Sequence, residues 1–278
     1  MRTLYVTDLD GTLLNTNSRI NQYSLDIIND LVAKGMLFTY ATARSLVSAS
    51  VVTQGLATNI PIIAYNGAFI INPSTNEILA SAYFHKNEAN KIIEVLNRFN
   101  ISPLVYSYID GCEKVSWVTD KENEGIKYYL DVRKGDKRFR PLTDNKGLYD
   151  GDMFYITCIG EHNDLLPVYE IFSQDDRYTC SLHQELYRPE YWCEILPKKA
   201  TKAEAIQDLK KLWNCDRVIS FGDAINDIPM FRISDECYAV SNAVHELKEL
   251  ATGIIESNDE DGVAKWLEAH VRQSAVKK

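Results

Sequence analysis

The sequence predicts an α/β protein: a Rossmann-like core with a mostly parallel sheet, built from both ends of the chain, and an α+β domain inserted between them. Three observations carry this expectation. Short apolar runs rich in β-formers alternate with segments of helical periodicity over residues 3–65, the same rhythm returns over residues 202–271, and the stretch between reads instead as hairpins and paired strands. With 278 residues, 45% hydrophobic and 25% charged, the chain has enough apolar material for two cores.

Thr3 to Thr7 reads as a strand, ended by the polar turn Asp8-Leu9-Asp10-Gly11-Thr12. From Asn21, a candidate N-cap, Leu25, Ile28, Leu31 and Val32 recur at helical spacing until Lys34-Gly35 supplies a stop. Met36 to Tyr40 is a buried strand, Ala41-Thr42-Ala43-Arg44 leads into a helix that ends near Gly55, and Pro61 to Tyr65 is the next strand. Each crossover helix must bury one side of the sheet, so strands and helices in this order imply parallel pairing. A hairpin follows, Ala68 to Ile71 and Ile78 to Ala82, around Asn72-Pro73-Ser74-Thr75-Asn76.

The insertion, read as 84–188, holds helices at 87–99, 121–130 and 163–174 and strands near 103–110, 113–118, 152–160 and 177–183, with one more at 191–196 near its end. Lys134 to Asp150, dense in Lys, Arg, Asp and Gly, is expected as an exposed connection. The core is then 1–83 and 189–278. Its second part runs helix (Lys202 to Trp213), strand (Arg217 to Phe221), short helix (Asp227 to Ile233), strand (Cys237 to Val240), helix (Val244 to Ala251), strand (Gly253 to Ile255) and helix (Asp261 to Val271).

Thirty Lys and Arg against 39 Asp and Glu give a net charge of -9, which repels nucleic-acid backbones and acidic lipid alike. The N-terminus turns acidic at Asp8 before a secretory apolar stretch forms, and no run approaches a membrane span, so a cytoplasmic location is the default. A monomer is the default oligomeric state. The six cysteines lie far apart, without a CxxC pair, and read as reduced thiols.

Asp8 and Asp10 follow an apolar strand, and open α/β sheets bind ligands beyond the carboxyl ends of their strands. Taken alone, the turn is also compatible with plain solvated Asp and Gly chemistry. A second acidic turn, Phe221-Gly222-Asp223-Ala224-Ile225-Asn226-Asp227, also ends a strand. Should the two strands be neighbours, four carboxylates converge, and their repulsion calls for a cation. Oxygen-only donors favour Mg²⁺. Thr42 and Arg44 stand at a probable helix N-terminus, a place that suits an anion or simply a cap with a surface arginine. Lys202 opens a helix and is either solvated or positioned to neutralise a nucleophile and a phosphate.

These elements together resemble the haloacid dehalogenase superfamily phosphatases of the Cof type, which carry a C2-type cap. The resemblance rests on Asp8-Leu9-Asp10-Gly11-Thr12, Thr42, Lys202 and Gly222-Asp223-Ala224-Ile225-Asn226-Asp227 in order, with further likeness in Tyr65-Asn66-Gly67-Ala68, Ser241-Asn242-Ala243 and Asn258-Asp259-Glu260-Asp261-Gly262-Val263. It implies Mg²⁺-dependent hydrolysis of small phosphomonoesters, sugar phosphates foremost, with the insertion as the cap. Asp8 would be the nucleophile and Asp10 the general acid and base, with catalytic support from Thr42 and Lys202. Mg²⁺ would rest on Asp8, Asp10 through its backbone carbonyl, Asp223 and Asp227. Substrate contacts would come from Leu9, Thr42, Arg44, Asn66, Gly67, Lys202 and Asn226. Cap aromatics (Tyr106, Tyr108, Trp117, Tyr128, Tyr129) and His183, Arg188 and Glu190 are weaker candidates for contacts to the leaving group. The chain departs from the family at Ala43, where Gly is common, and at Val240-Ser241, where Met-Gly is common. A sugar phosphomutase or a non-catalytic phosphometabolite-binding protein are the alternatives. A dinucleotide dehydrogenase is disfavoured, because the first turn carries no GxGxxG.

Overall fold

The computed structural model describes residues 1–184 and 188–275. Contacts divide the chain into two units, Met1–Ser81 with Ala200–Lys278, and Ala82–Lys199.

The first unit begins with β1 (Thr3–Thr7), α1 (Gln22–Ala33), β2 (Leu37–Tyr40), α2 (Leu46–Val52), β3 (Ile62–Ala64), β4 (Phe69–Ile71) and β5 (Ile78–Ser81). The second holds α3 (Lys86–Arg98), β6 (Leu104–Ile109), β7 (Cys112–Val118), α4 (Glu124–Asp131), β8 (Phe139–Leu142), β9 (Asp152–Gly160), α5 (His162–Ser173), β10 (Tyr178–Gln184) and β11 (Tyr191–Pro197). The first unit resumes with α6 (Lys202–Leu212), β12 (Arg217–Gly222), α7 (Ile228–Ile233), β13 (Glu236–Val240), α8 (His245–Leu250), β14 (Gly253–Ile255) and α9 (Gly262–Ala275).

Five parallel strands in the order β14-β13-β12-β1-β2 form the main sheet of the first unit. Leu4, Val6, Phe38, Val218 and Phe221 are fully buried in it, each contributing about 1.5–3 kcal/mol by leaving water. Helix α1 turns Ile27, Ile28 and Leu31 inward, and α9, which packs beside it, buries Val263, Ala264 and Leu267. Strand β1 is flanked by β2 on one side and β12 on the other, so the order reverses between β1 and β12, the kind of switch point beyond whose carboxyl ends open α/β sheets bind ligands. Strands β3, β4 and β5 make a small antiparallel sheet, joined to the main one by the parallel bridge Ala41–Ile63.

In the second unit, six strands run in the order β10-β11-β9-β6-β7-β8. Ile92, Val95 and Leu96 of α3 and Leu165, Val168 and Phe172 of α5 pack with Val105, Ile156, Cys158, Cys193 and Ile195 of the sheet in one apolar core. All six cysteines are free thiols.

Two expectations are corrected here. Lys134 to Asp150 is not a bare connection, since β8 lies within it and pairs in parallel with β7. The ring of Phe139 packs edge-on to Trp117 at 5.2 Å, and Leu148 is 2% exposed. The charges that suggested solvent are paired internally, Arg138 with Asp136 and Glu113, and Arg140 with Asp150. The return boundary also moves from 188/189 to 199/200, because β11 pairs with both β9 and β10 and therefore belongs to the inserted sheet.

Candidate active site

Parallel registration runs from Thr3 opposite Arg217 to Thr7 opposite Phe221, and the Asp8 amide continues the ladder by donating to the Phe221 carbonyl at 2.9 Å. The two acidic turns thus leave the sheet side by side. Carboxylate oxygens of Asp8, Asp223 and Asp227 all lie within 4.8 Å of one another. Lys202, the first residue of α6 and 1% exposed, reaches Asp227 Oδ1 with its ammonium at 2.7 Å and also bonds Asp8 Oδ1. Asp8 retains 8% side-chain exposure, so a small part of it reaches solvent while most of its surface is buried.

Three carboxylates around one ammonium leave excess negative charge, and burial adds to the cost of holding it. Burial pushes the Asp8 carboxyl well above the usual carboxylate range; Lys202 opposes the shift, and Asp227 and Asp223 add to it. Burial, then the charge of Asp227, pushes Asp223 up to about 6. Burial alone would lower Lys202, but the charges of Asp227 and Asp8 outweigh it and hold the ammonium above the ordinary lysine range. Asp227 is fixed by accepting from the backbone N–H groups of Asp223 and Ala224 at 3.0 and 3.1 Å through Oδ2. A cluster of hard oxygen donors, without His or Cys and with uncompensated charge, fits a hard divalent cation.

Asp10 stands apart from this group. Its two carboxylate oxygens take a bidentate pair from Arg44, Nε at 2.7 Å and Nη2 at 2.6 Å, and Arg44 Nη1 donates to Ser48 at 3.1 Å. The expected convergence of four carboxylates is therefore one of three. Thr42 is fully buried; its hydroxyl accepts from the Arg44 amide at 3.1 Å and its own amide donates to Ile63 at 3.0 Å. Leu9 buries its side chain, and its carbonyl accepts from Leu14 N–H at 2.8 Å, shaping the turn. Asn226 donates to Asn66 Oδ1 at 3.3 Å, and Asn66 N–H donates to the Thr42 carbonyl at 2.8 Å.

Within the second unit, Tyr106, Trp117 and Tyr129 are core residues: the Tyr106 and Tyr129 hydroxyls bond each other at 2.7 Å, and Trp117 Nε1 donates to Glu122 at 2.7 Å. Tyr128 is exposed, with the Arg188 guanidinium 4.5 Å from its ring centre. Arg188 also pairs with Glu190 at 2.6 Å, while His183 is exposed.

Four residues that the sequence reading gave no part in catalysis or binding shape the site. Thr12 Oγ1 donates to Asp223 Oδ1 at 2.9 Å. Asn242 Nδ2 donates to the Gly11 carbonyl at 2.8 Å, and Asn242 Oδ1 accepts from Asn258 N–H at 3.1 Å. Gly11 has φ +76, and a Cβ there would lie 2.4 Å from Asp223 Oδ2, so only glycine lets the two turns approach. The signal was present, because both asparagines fall in the segments that carried the resemblance.

Fold and site together define a class, the α/β proteins that carry a carboxylate cluster at the switch point of a parallel sheet. The family model for haloacid dehalogenase-like hydrolases matches residues 5–267, and the chain belongs to that family, as a phosphatase of the Cof type. It is 30% identical to the 5-amino-6-(5-phospho-D-ribitylamino)uracil phosphatase YwtE of Bacillus subtilis, over 94% of this chain and 95% of that one. Among solved structures, TM0651 from Thermotoga maritima superposes with a TM-score of 0.77 at 28% identity, covering 97% of each chain. A subclass IIB sugar phosphatase of the superfamily shares the fold, with a TM-score of 0.72 at 19% identity over 97% of this chain and 98% of its own. Among the described residues no helix is long and apolar enough to cross a membrane.

Proposed function

We propose that the protein hydrolyses small phosphomonoesters, sugar or polyol phosphates foremost, with Mg²⁺ and through an aspartyl-phosphate on Asp8. The observation that carries this reading is the placement of Asp8 at the end of β1, bonded to Lys202 and grouped with Asp223 and Asp227. Asp8, Asp223 and Asp227, with the Asp10 carbonyl, would hold Mg²⁺, whose charge would offset that of the phosphoryl group and keep the nucleophile ionised.

An Asp8 oxygen attacks phosphorus in line, forming an acyl-phosphate P–O bond as the bond to the substrate alcohol breaks. Asp10 gives its proton to the departing oxygen, then takes one from the water that attacks the acyl-phosphate, releasing inorganic phosphate and restoring Asp8. Before substrate arrives, both Asp10 oxygens are occupied by the Arg44 guanidinium. In this reading the phosphate oxygens draw Arg44 away and free the Asp10 carboxyl to exchange a proton with the substrate oxygen and then with water. Thr42, Lys202 and the backbone at Leu9 hold the transferring oxygens. The inserted unit acts as the cap.

Support for the substrate class comes from the relatives: one acts on a phosphorylated ribityl compound and one is a sugar phosphatase. The test is phosphate release from p-nitrophenyl phosphate and a panel of sugar phosphates, with Mg²⁺ or with EDTA. Turnover is expected with Mg²⁺ alone and is lost in Asp8→Asn. Undiminished turnover after chelation, or in the variant, overturns the reading.

A further inference from the structure

Residues Tyr65, Asn66 and Gly67 form a turn with three consecutive positive φ angles, 50°, 54° and 106°. Two of the three are not glycine, so the conformation is held by its surroundings rather than by preference. The Tyr65 N–H donates to the Arg44 carbonyl at 3.0 Å, the Asn66 N–H to the Thr42 carbonyl at 2.8 Å, and Asn66 Oδ1 accepts from Asn226 at 3.3 Å. At Gly67 the turn meets Thr201, where a Cβ would lie 2.1 Å from the carbonyl oxygen, 2.3 Å from the carbonyl carbon and 2.9 Å from the nitrogen. All three atoms are backbone and cannot swing aside. Thr201 is the N-cap of α6, its hydroxyl accepting from Glu204 N–H at 3.2 Å, and the next residue is Lys202.

We propose that this turn is a positioning device: the bare Cα of Gly67 sets how closely the N-terminus of α6 approaches, and so places the Lys202 ammonium between Asp8 and Asp227. Its two backbone donors tie that placement to the Thr42–Arg44 loop, and Asn66 ties it to the second acidic turn. Asn66 and Gly67 thus act through Lys202, rather than by touching substrate. The inference rests on the phosphatase reading for its kinetic arm alone.

The test uses Gly67→Ala and two readouts. The methyl group forces α6 and its lysine outward, and a displacement near 1 Å at a reacting centre lowers kcat by about a hundredfold, with KM held within about threefold. In a Lys202→Gln background the same change lowers kcat by less than about twofold further, because the group it places is gone. An additional hundredfold loss there overturns the proposal. The second readout is acetylation of the folded protein with an N-hydroxysuccinimide ester, followed at Lys202 by mass spectrometry. Lys202 is buried and doubly ion-paired in the native chain and resists modification; in Gly67→Ala it reacts about tenfold faster. Equal protection in both proteins overturns the proposal, whether or not either turns over a phosphomonoester.

Should Gly67→Ala not fold, the Asn66 pair decides. Asn66→Gly keeps the positive φ and protects Lys202 as the native chain does, whereas Asn66→Ala disfavours that conformation and exposes it. Identical protection in the two Asn66 variants counts against the idea. Absence of phosphatase activity in the native protein refutes the reading of function and leaves the labelling to judge this one.

Discussion

Asp223→Asn should make the metal-free protein more stable, although it removes a residue central to the site. Burial and the charge of Asp227 raise this carboxyl from 3.8 to about 6. A value raised in the folded state means that the folded chain holds the proton more tightly than the unfolded one. The ionised carboxylate therefore penalises folding fully above pH 6, and the penalty fades as pH falls toward 3.8, where both states are protonated. A shift of a little over two units corresponds to about 3 kcal/mol at pH 7.5 and to about 1 kcal/mol at pH 4.5. Asparagine keeps an oxygen for the Thr12 hydroxyl, now 2.9 Å from Asp223 Oδ1, so little else is lost. At roughly 2–4 °C per kcal/mol, the first unit should melt roughly 6 °C or more above wild type at pH 7.5 in EDTA, and by about a third of that at pH 4.5. Scanning calorimetry at both pH values measures it, and added Mg²⁺ should raise the wild type and not the variant. A lower melting temperature for the variant at pH 7.5 in EDTA, or an equal shift at both pH values, refutes the electrostatic reasoning.

Asp10→Asn should lower kcat by about 10²–10⁴, because the amide cannot exchange the proton, with circular dichroism unchanged; steady-state kinetics with Mg²⁺ checks this. Lys202→Met strips the buried Asp8 and Asp227 of their ammonium and should destabilise the metal-free first unit by about 3–5 kcal/mol in urea at pH 7.5. Thr157 buries a hydroxyl with no hydrogen-bond partner among the described residues, so Thr157→Val should stabilise the second unit by about 1 kcal/mol; a loss of stability on urea titration would contradict that.

The alternation of strand and helix was legible because each buried strand and each amphipathic helix writes its own period into the chain, and the two acidic turns followed from strands that end in polar residues. Their meeting was conditional on β1 and β12 being neighbours, and the register Thr7–Phe221 supplies that condition. What the sequence concealed is choice of partner. Nothing local to Asp10 announces that Arg44 will claim both its oxygens, because the pair is made between a turn and a helix entry brought together only by the sheet. Strand β8 was hidden for a similar reason, as Arg138 just before it pairs with Asp136 and Glu113 and is largely withdrawn from solvent despite its charge. Gly67 entered as a substrate contact through the family resemblance, and no local pattern in the sequence tells that a backbone oxygen would lie 2.1 Å from a methyl placed there.

The central strand of the main sheet has a consequence for synthesis. Strand β1 is made long before its neighbour β12, which begins at Arg217, and at ribosomal speeds the wait between them is roughly 10–40 s. During that interval Asp8 has neither the lysine nor the aspartates that give it chemistry, while the contiguous stretch Ala82–Lys199 already holds every strand of its own sheet. The inserted unit is free to fold first, and the carboxylate cluster is assembled last, when the segment from Ala200 onward finds a strand that has waited with one flank unpaired.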